Sequence, residues 1–562
     1  MVEIVFLPDR QTIRVPAGTT LLAAARLAGL VVEAPCNGAG TCGKCRVRLT
    51  PEGLAQVVEQ GRHRLSAEET QQGFVLACQT EVRGDIAVAL AAGNADRGLK
   101  ILRHGECLAN ERDPFITKRF RAGEERTAVY GGGDRLGFEK GNTEGESYGV
   151  VVDIGTTTLV AELIDLHTGE ERASLSALNP QARHAQDVLS RIQLASSPEG
   201  LALLYSGIAG EIDRLIGELA VAAGIGRDRI YEVVYSGNGC MVHLAANVNP
   251  APLGKYPYRP VIRGGSSLKA GDHGLTIAPF GRLYLPPLIS AYVGADITSG
   301  ILATQLFARK GATLFVDIGT NGEMALAVDG RLTAASTAAG PAFEGMNIAC
   351  GMRAGAGAIE RFSIGPEGGV QIKTIGGHEA IGLCGSGLLD AVAELVTHGV
   401  IDAKGRFRPQ DAPSLPPLLR ERLQRRDGKI AFALTERVFL TQKDVRQVQL
   451  AKGAIRAGIE YLLASQGIRA GAIDRVLIAG SFGYHVRAES LLAIGLLPRA
   501  FAGKIELVGN TSQSGGRAFL LNRAYRQEMV ERVQEVAVVE LSSHQDFERV
   551  FVRCLGFAEE EP

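Results

Sequence analysis

Tyr148–Thr158 reads YGVVVDIGTTT, and Leu314–Glu323 reads LFVDIGTNGE. In each stretch an apolar, β-branched run ends in a carboxylate, Asp153 or Asp317. A glycine follows two residues later, Gly155 or Gly319. Polar groups come next: Thr156, Thr157 and Thr158 in the first copy, Thr320 and Asn321 in the second. A carboxylate at the end of a buried strand is costly unless something cationic meets it. Two of them in equivalent places are best matched by a shared hydrated Mg²⁺, which keeps water ligands and is held by one or two carboxylates plus phosphates. Glycine lets a phosphate approach the backbone, and the threonines supply hydroxyl and N–H donors. One copy alone would be an ordinary strand-ending turn. Two copies, with a third glycine turn at Ile478–Gly483 (IAGSFG) whose Gly480, Ser481 and Gly483 would receive an adenosine, point to ATP gripped from both sides. Asp153, Asp317 and Glu323 are the candidate catalytic carboxylates, with Asp317 or Glu323 orienting the attacking water.

The segments around these turns support a duplication. Thr157–Ile164 and Glu171–Leu178 follow the first turn, and Gly322–Val328 and Arg331–Ser336 follow the second. Three meandering strands with the acidic turn between the first two begin an RNase H-like fold of the actin-like ATPase kind. Residues 148–310 and 311–562 are the two expected halves. Helices are expected at Ala185–Ala195, Leu201–Ala222, Ile289–Leu306, Leu388–Leu395 and Lys443–Ser465. Ile230–Tyr235 reads as a buried strand running into SGNGCMVHL. Gly382–Gly387 opens a helix whose N–H groups either bind an anion or simply start it.

Upstream, residues 1–92 read as a β-grasp, ferredoxin-like domain. Val2–Leu7 and Thr12–Val15 alternate apolar and polar positions, and Thr19 or Thr20 can cap a helix to about Ala28. The loop APCNGAGTCGKC places five residues between Cys36 and Cys42 and two between Cys42 and Cys45; 32 more precede Cys78. Three thiolates in a glycine-rich loop with one distant thiolate form the ligand pattern of a [2Fe–2S] cluster. A structural zinc site would favour two paired knuckles, and only Cys42 and Cys45 make one. The loop at Asn37–Thr41 is the expected electron exit. The remaining five cysteines are scattered and read as small buried hydrophobes. Residues 93–147, rich in glycine and charge, read as a linker with a short helix or small module.

The chain has 562 residues, with 60 Lys+Arg against 61 Asp+Glu, so no global charge points to nucleic acid or a membrane surface. Charges interrupt the apolar start, and no apolar run reaches membrane-spanning length, so the expected location is the cytoplasm. A homodimer is compatible with the sequence.

DIGTTT, DIGTNGE and IAGSFG resemble the phosphate-1, phosphate-2 and adenosine motifs of the superfamily of acetate and sugar kinases, heat-shock cognate chaperones and actin. The combination with a ferredoxin-like domain resembles the reductive activators of corrinoid proteins, and GNGCMVHL and GLCGSGLLDAVAEL are similar to stretches of that family. The resemblance implies ATP-driven electron transfer to the cob(II)alamin of a partner corrinoid protein, with an upstream electron donor. With only Cys554 near its end, the chain departs from the methylamine-system activators, which carry a cysteine-rich C-terminal module. Its middle region looks short for the activator of the carbon monoxide/acetyl-CoA pathway. Two other classes stay open: a small-molecule kinase regulated by a ferredoxin domain, and an ATP-dependent chaperone for a metalloprotein.

Overall fold

The computed structural model describes the chain except residues 9, 31, 33, 35–37, 39, 41–42, 62–63, 91–111, 411, 427, 481–485 and 558–562. It divides into two compact units. One comprises Met1–Leu99, Pro180–Arg191 and Arg425–Lys429; the other comprises Lys100–Asn179, Ile192–Gln424 and Ile430–Pro562.

In the first unit, five strands form a sheet in the order Gln11–Val15, Val2–Leu7, Ile86–Leu90, Arg46–Leu49, Phe74–Leu76. The parallel pairing of Val2–Leu7 with Ile86–Leu90, the chain's early and late strands, closes a β-grasp. Alternating burial along VEIVFL turns Val2, Ile4 and Phe6 onto the helix Leu21–Leu27, capped by the Thr20 hydroxyl. The expected continuous strand Phe74–Val82 is broken. A 3₁₀ turn, Ala77–Gln79, interrupts it and carries Cys78.

The second unit holds the duplication. Its first six-stranded sheet runs Glu171–Leu178, Thr158–Asp165, Tyr148–Ile154, Ile230–Gly237, Arg282–Leu285, Ser266–Lys269. The second runs Ile505–Gly509, Arg475–Ala479, Ala312–Ile318, Gly322–Val328, Arg331–Thr337, Ala537–Val538. Both build an antiparallel meander and then add a parallel fourth strand beside the first. A parallel pair needs a crossover. Helices Pro198–Ala223 and Gln442–Ser465 supply it, each opened by a hydroxyl N-cap, Ser197 and Thr441.

The two halves meet through a pair of packed helices. Helix Ala295–Ala303 follows the first sheet, and helix Thr511–Leu521 follows the second. A Cβ on Gly300 would fall 2.6 Å from Cζ of Phe315 in the second sheet, and one on Gly516 2.4 Å from Cγ1 of Val151 in the first. Only glycine permits approaches this close, so one continuous core runs through Val151, Ile301, Phe315, Leu477 and Phe519. A buried fork ties the halves again: Arg526 Nη1 and Nη2 each donate to Glu232 at 2.8 Å, under Phe115 and Tyr284.

Of the two alternatives for residues 93–147, a short helix or a small module, the described part takes the second, with antiparallel strands Ile116–Arg121, Arg126–Gly131 and Asp134–Lys140. Not all its charges face solvent: buried Lys118 pairs with Glu139 at 2.9 Å and donates to Tyr231 Oη at 2.7 Å. The expected helix Ile289–Leu306 is helical only from Ala295 to Ala303, with Gly294 as its N-cap.

Candidate functional site

The strand registers bring the two acidic turns to equivalent places. Asp153 lies beside Ser236 of the parallel fourth strand, and Asp317 lies opposite Glu323 and beside Ala479. In the first turn Gly155 N donates to Thr158 O at 3.0 Å, and in the second Gly319 N donates to Asn321 O at 3.0 Å. Thr157 and Thr320 thus stand out from the two loops. Thr156 is buried and its hydroxyl accepts from Asn238 Nδ2 at 3.2 Å. Asn238 also caps the helix Gly239–Ala245, which gives the GNGCMVHL stretch its purpose. Gly480 has φ +116°, and a Cβ there would lie 2.4 Å from Ile318 O and 3.1 Å from Asp317 Oδ1. Gly480 therefore packs against the end of the strand that carries Asp317; Ser481 and Gly483 lie outside the described residues.

Four residues that the sequence reading did not single out complete the site. Asp153 Oδ1 accepts from Ser512 Oγ at 2.8 Å, and Oδ2 from Asn510 Nδ2 at 2.9 Å. Both donors come from the other half, at the start of the helix Thr511–Leu521. Asp296, on the helix Ala295–Ala303, accepts from Ile297 N at 2.9 Å. Glu344 accepts from the hydroxyls of both Thr157 and Thr320. Asp296 and Glu344 carry no local motif, and only the packing of these helices and the return of the Pro341–Glu344 turn place them here. By contrast, the helix start at Gly385 is shut. A Cβ there would lie 1.8 Å from Phe343 O, so this end is a packed helix start.

The electrostatics are those of four buried carboxylates that crowd one another. Burial, then repulsion from Asp296 and Asp153, pushes Asp317 up to about 8. Burial first, with Asp153 adding, lifts Asp296 to about 7. Burial, then Asp296 and Asp317, raises Glu323 well above the carboxylate range, against the Asn321 amide that hydrogen-bonds it. Burial also raises Asp153, opposed by Ser512 and Asn510. Among the described residues none of the four makes an ion pair. These donors suit a hard divalent cation that keeps its waters.

A proton count checks this. Raised carboxylates bind protons in the folded state that the unfolded chain has released, so the cluster's contribution to stability falls as pH rises from about 4 towards about 8. A cation takes the ionised form, so MgATP binding near neutral pH should expel on the order of one proton per site. Calorimetry in buffers of different ionisation enthalpy measures it; buffer-independent heats would contradict the cation seat.

The thiolate set is described in part, since Cys36 and Cys42 lie outside the described residues, as does most of the expected exit at Asn37–Thr41. Cys45 and Cys78, 33 positions apart in sequence, have their sulfurs 3.3 Å apart. That is far beyond a disulfide bond and near the roughly 3.7 Å edge of a thiolate tetrahedron around a metal ion. Gly38 brings the loop over them: a Cβ there would lie 3.8 Å from Cys78 Cβ. The residues present fit an iron–sulfur cluster. Of the scattered cysteines, Cys240, Cys384 and Cys554 are buried as expected, and Cys350 is partly exposed. No described helix is long and apolar enough to cross a membrane.

Residues 5–83 match the 2Fe-2S iron-sulfur cluster binding domain, residues 148–309 the RACo middle region, and residues 311–562 the C-terminal domain of RACo, the ASKHA domain. These matches support an iron–sulfur cluster in the first domain and ATP binding in the last. The chain is 32% identical over 533 residues to the corrinoid activation enzyme RamQ of Eubacterium limosum, covering 88% of this chain and 89% of that protein. It is 28% identical over 420 residues to the [Co(II) methylated amine-specific corrinoid protein] reductase of Methanosarcina barkeri, covering 69% of this chain and 73% of that one. A solved structure, "Reductive activator for corrinoid, iron-sulfur protein", aligns with TM-score 0.72 and 31% identity over 99% of this chain and 98% of that chain. With that coverage, the middle region is not short for an activator of this kind. The chain belongs to the family of reductive activators of corrinoid proteins.

Proposed function

We propose that this protein uses ATP to drive one electron from its iron–sulfur domain onto the cob(II)alamin of a partner corrinoid protein, restoring cob(I)alamin. The observation that carries the reading is the convergence of Cys45 and Cys78, at 3.3 Å, on the same chain as a cation-seeking nucleotide cleft. A kinase or a chaperone has no use for an electron.

The cluster, taken as the [2Fe–2S] type, supplies one-electron transfer when bound. Cys36, Cys42, Cys45 and Cys78 hold it as thiolates. The Gly155–Thr158 and Gly319–Asn321 loops hold the phosphates, and Gly480, Ser481 and Gly483 receive the adenosine. Asp153 and Asp317, backed by Asp296 and Glu323, would hold the Mg²⁺ that accompanies ATP. One electron leaves the reduced activator and one arrives at cobalt; an upstream donor restores the activator. Cob(II)alamin is a poor acceptor, so the transfer runs uphill. ATP can help only by favouring one protein state over another. The packed helices make that possible, because Asp153 in one half is held by Asn510 and Ser512 from the other. A change at the phosphates therefore bears on the packing of both halves.

The test mixes the protein, a reductant, MgATP and candidate corrinoid proteins and follows the cobalt absorption. Co(I) should form only with MgATP present. ATP hydrolysis that requires a small hydroxyl or carboxylate substrate and ignores every corrinoid protein would move the protein to the kinase class.

A further inference from the structure

Within the nucleotide site one carboxylate touches both phosphate loops. Glu344 Oε2 accepts from Thr157 and Oε1 from Thr320, residues 187 and 24 positions away. The turn that carries it is rigidly placed. Phe343 beside it is 1% exposed. Gly345 N donates to Ala342 O at 3.0 Å, and Ala349 N to Asp444 Oδ1 at 2.7 Å, where Asp444 also caps the helix Gln442–Ser465. Such a group is a fixed fixture rather than a loose strap.

Among the described residues no other carboxylate is hydrogen-bonded to both loops. Asp153 is held through both oxygens by Asn510 and Ser512. Glu323 is buried and accepts from Asn321 Nδ2 at 3.2 Å. Asp317 sits against Gly480 at the end of its strand. Resting on the reading of this cleft as an ATP site, we infer that Glu344, rather than Asp317 or Glu323, is the catalytic residue that orients the water attacking the terminal phosphate.

The chemistry follows from the contacts. A triphosphate offers its oxygens to Thr157 and Thr320, and their hydroxyls turn from Glu344 to the phosphate. The carboxylate cannot follow, because it carries the same charge as the phosphate. A water fits between them, donating to the carboxylate at hydrogen-bond distance while its lone pair faces phosphorus. A bond forms from the water oxygen to the γ-phosphorus, and the bond from phosphorus to the bridging oxygen breaks. That electron pair leaves on ADP. Glu344 takes the water's proton and returns it to solvent, leaving ADP, inorganic phosphate and one proton.

The experiment measures MgATP turnover, affinity for a non-hydrolysable ATP analogue, and melting temperature in the full-length holoprotein. Glu344→Gln should cut turnover about 100-fold or more, the usual worth of a positioned acid–base group. Analogue affinity should stay within about threefold or tighten, since a negative charge beside the phosphates is gone. Glu344→Asp should recover part of the turnover. Added formate should restore part of it in Glu344→Ala, which a structural role would not allow. Wild-type turnover in Glu344→Gln would overturn the assignment. So would joint loss of turnover and analogue binding with no formate rescue, which would make Glu344 a loop support. If the unaltered protein neither binds nor hydrolyses MgATP, the ATP-site reading itself falls.

Discussion

Asp317→Ala should keep its iron–sulfur absorption and lose ATP-driven Co(I) formation by about 100-fold or more, the scale on which cation and charge positioning act at phosphates. Asp317 lies near the end of the strand Ala312–Ile318 with Gly480 packed against it, and burial, then its neighbours Asp296 and Asp153, push it up to about 8. A group kept at that tension has no structural use in the empty cleft. Removing it should therefore stabilise the nucleotide-free protein by about 0.5–2 kcal/mol, in the manner of a site that gives up stability for function. The melting temperature of the empty variant should rise while the gain from MgATP shrinks. The paired result is diagnostic: a plain folding lesion would lower both. Co(I) yield equal to that of the unaltered protein would break the link between the ATP site and electron transfer.

The acidic turns were legible because each is a local pattern: strand, carboxylate, glycine and hydroxyls within eleven residues at most. The β-grasp order was legible for the same reason. What escaped was every contribution that crosses from one half to the other. Asn510 and Ser512 sit in GNTSQSGG, which locally says only that a helix begins. That this helix lies on the partner sheet depends on Gly516 meeting Val151, a contact between residues 365 positions apart. Asp296 was hidden in an apparently unbroken helix, because an apolar run from Ile289 conceals the late start at Ala295. Glu344 sits in a glycine-flanked turn with no periodicity at all. The charged strands of the 112–147 region looked like a linker because charge usually means solvent. Lys118, Glu139 and Tyr231 satisfy one another instead.

Cys78→Ala should give the opposite separation: Co(I) formation and the visible absorption of the cluster lost, MgATP hydrolysis kept. The thiols of Cys45 and Cys78 meet although the first lies just before the strand Arg46–Leu49 and the second on the Ala77–Gln79 turn. The turn is fixed independently of any metal, since Ala77 N donates to Cys45 O at 2.8 Å and Thr80 Oγ1 to Leu76 O at 2.9 Å. The β-grasp sheet should therefore survive the substitution, at about 1 kcal/mol for a small, partly buried side chain. The phosphate loops, whose partners are Asn179, Asn238 and Glu344, owe nothing to Cys78. ATP turnover should accordingly stay within about twofold of the unaltered rate. A chaperone would go on activating its metalloprotein without this thiolate, whereas an electron donor cannot. Corrinoid reduction that persists in Cys78→Ala would overturn the electron-transfer reading. Taken with Asp317→Ala, the result separates the two parts of the machine: one variant carries an electron it cannot drive uphill, and the other hydrolyses ATP with no electron to drive.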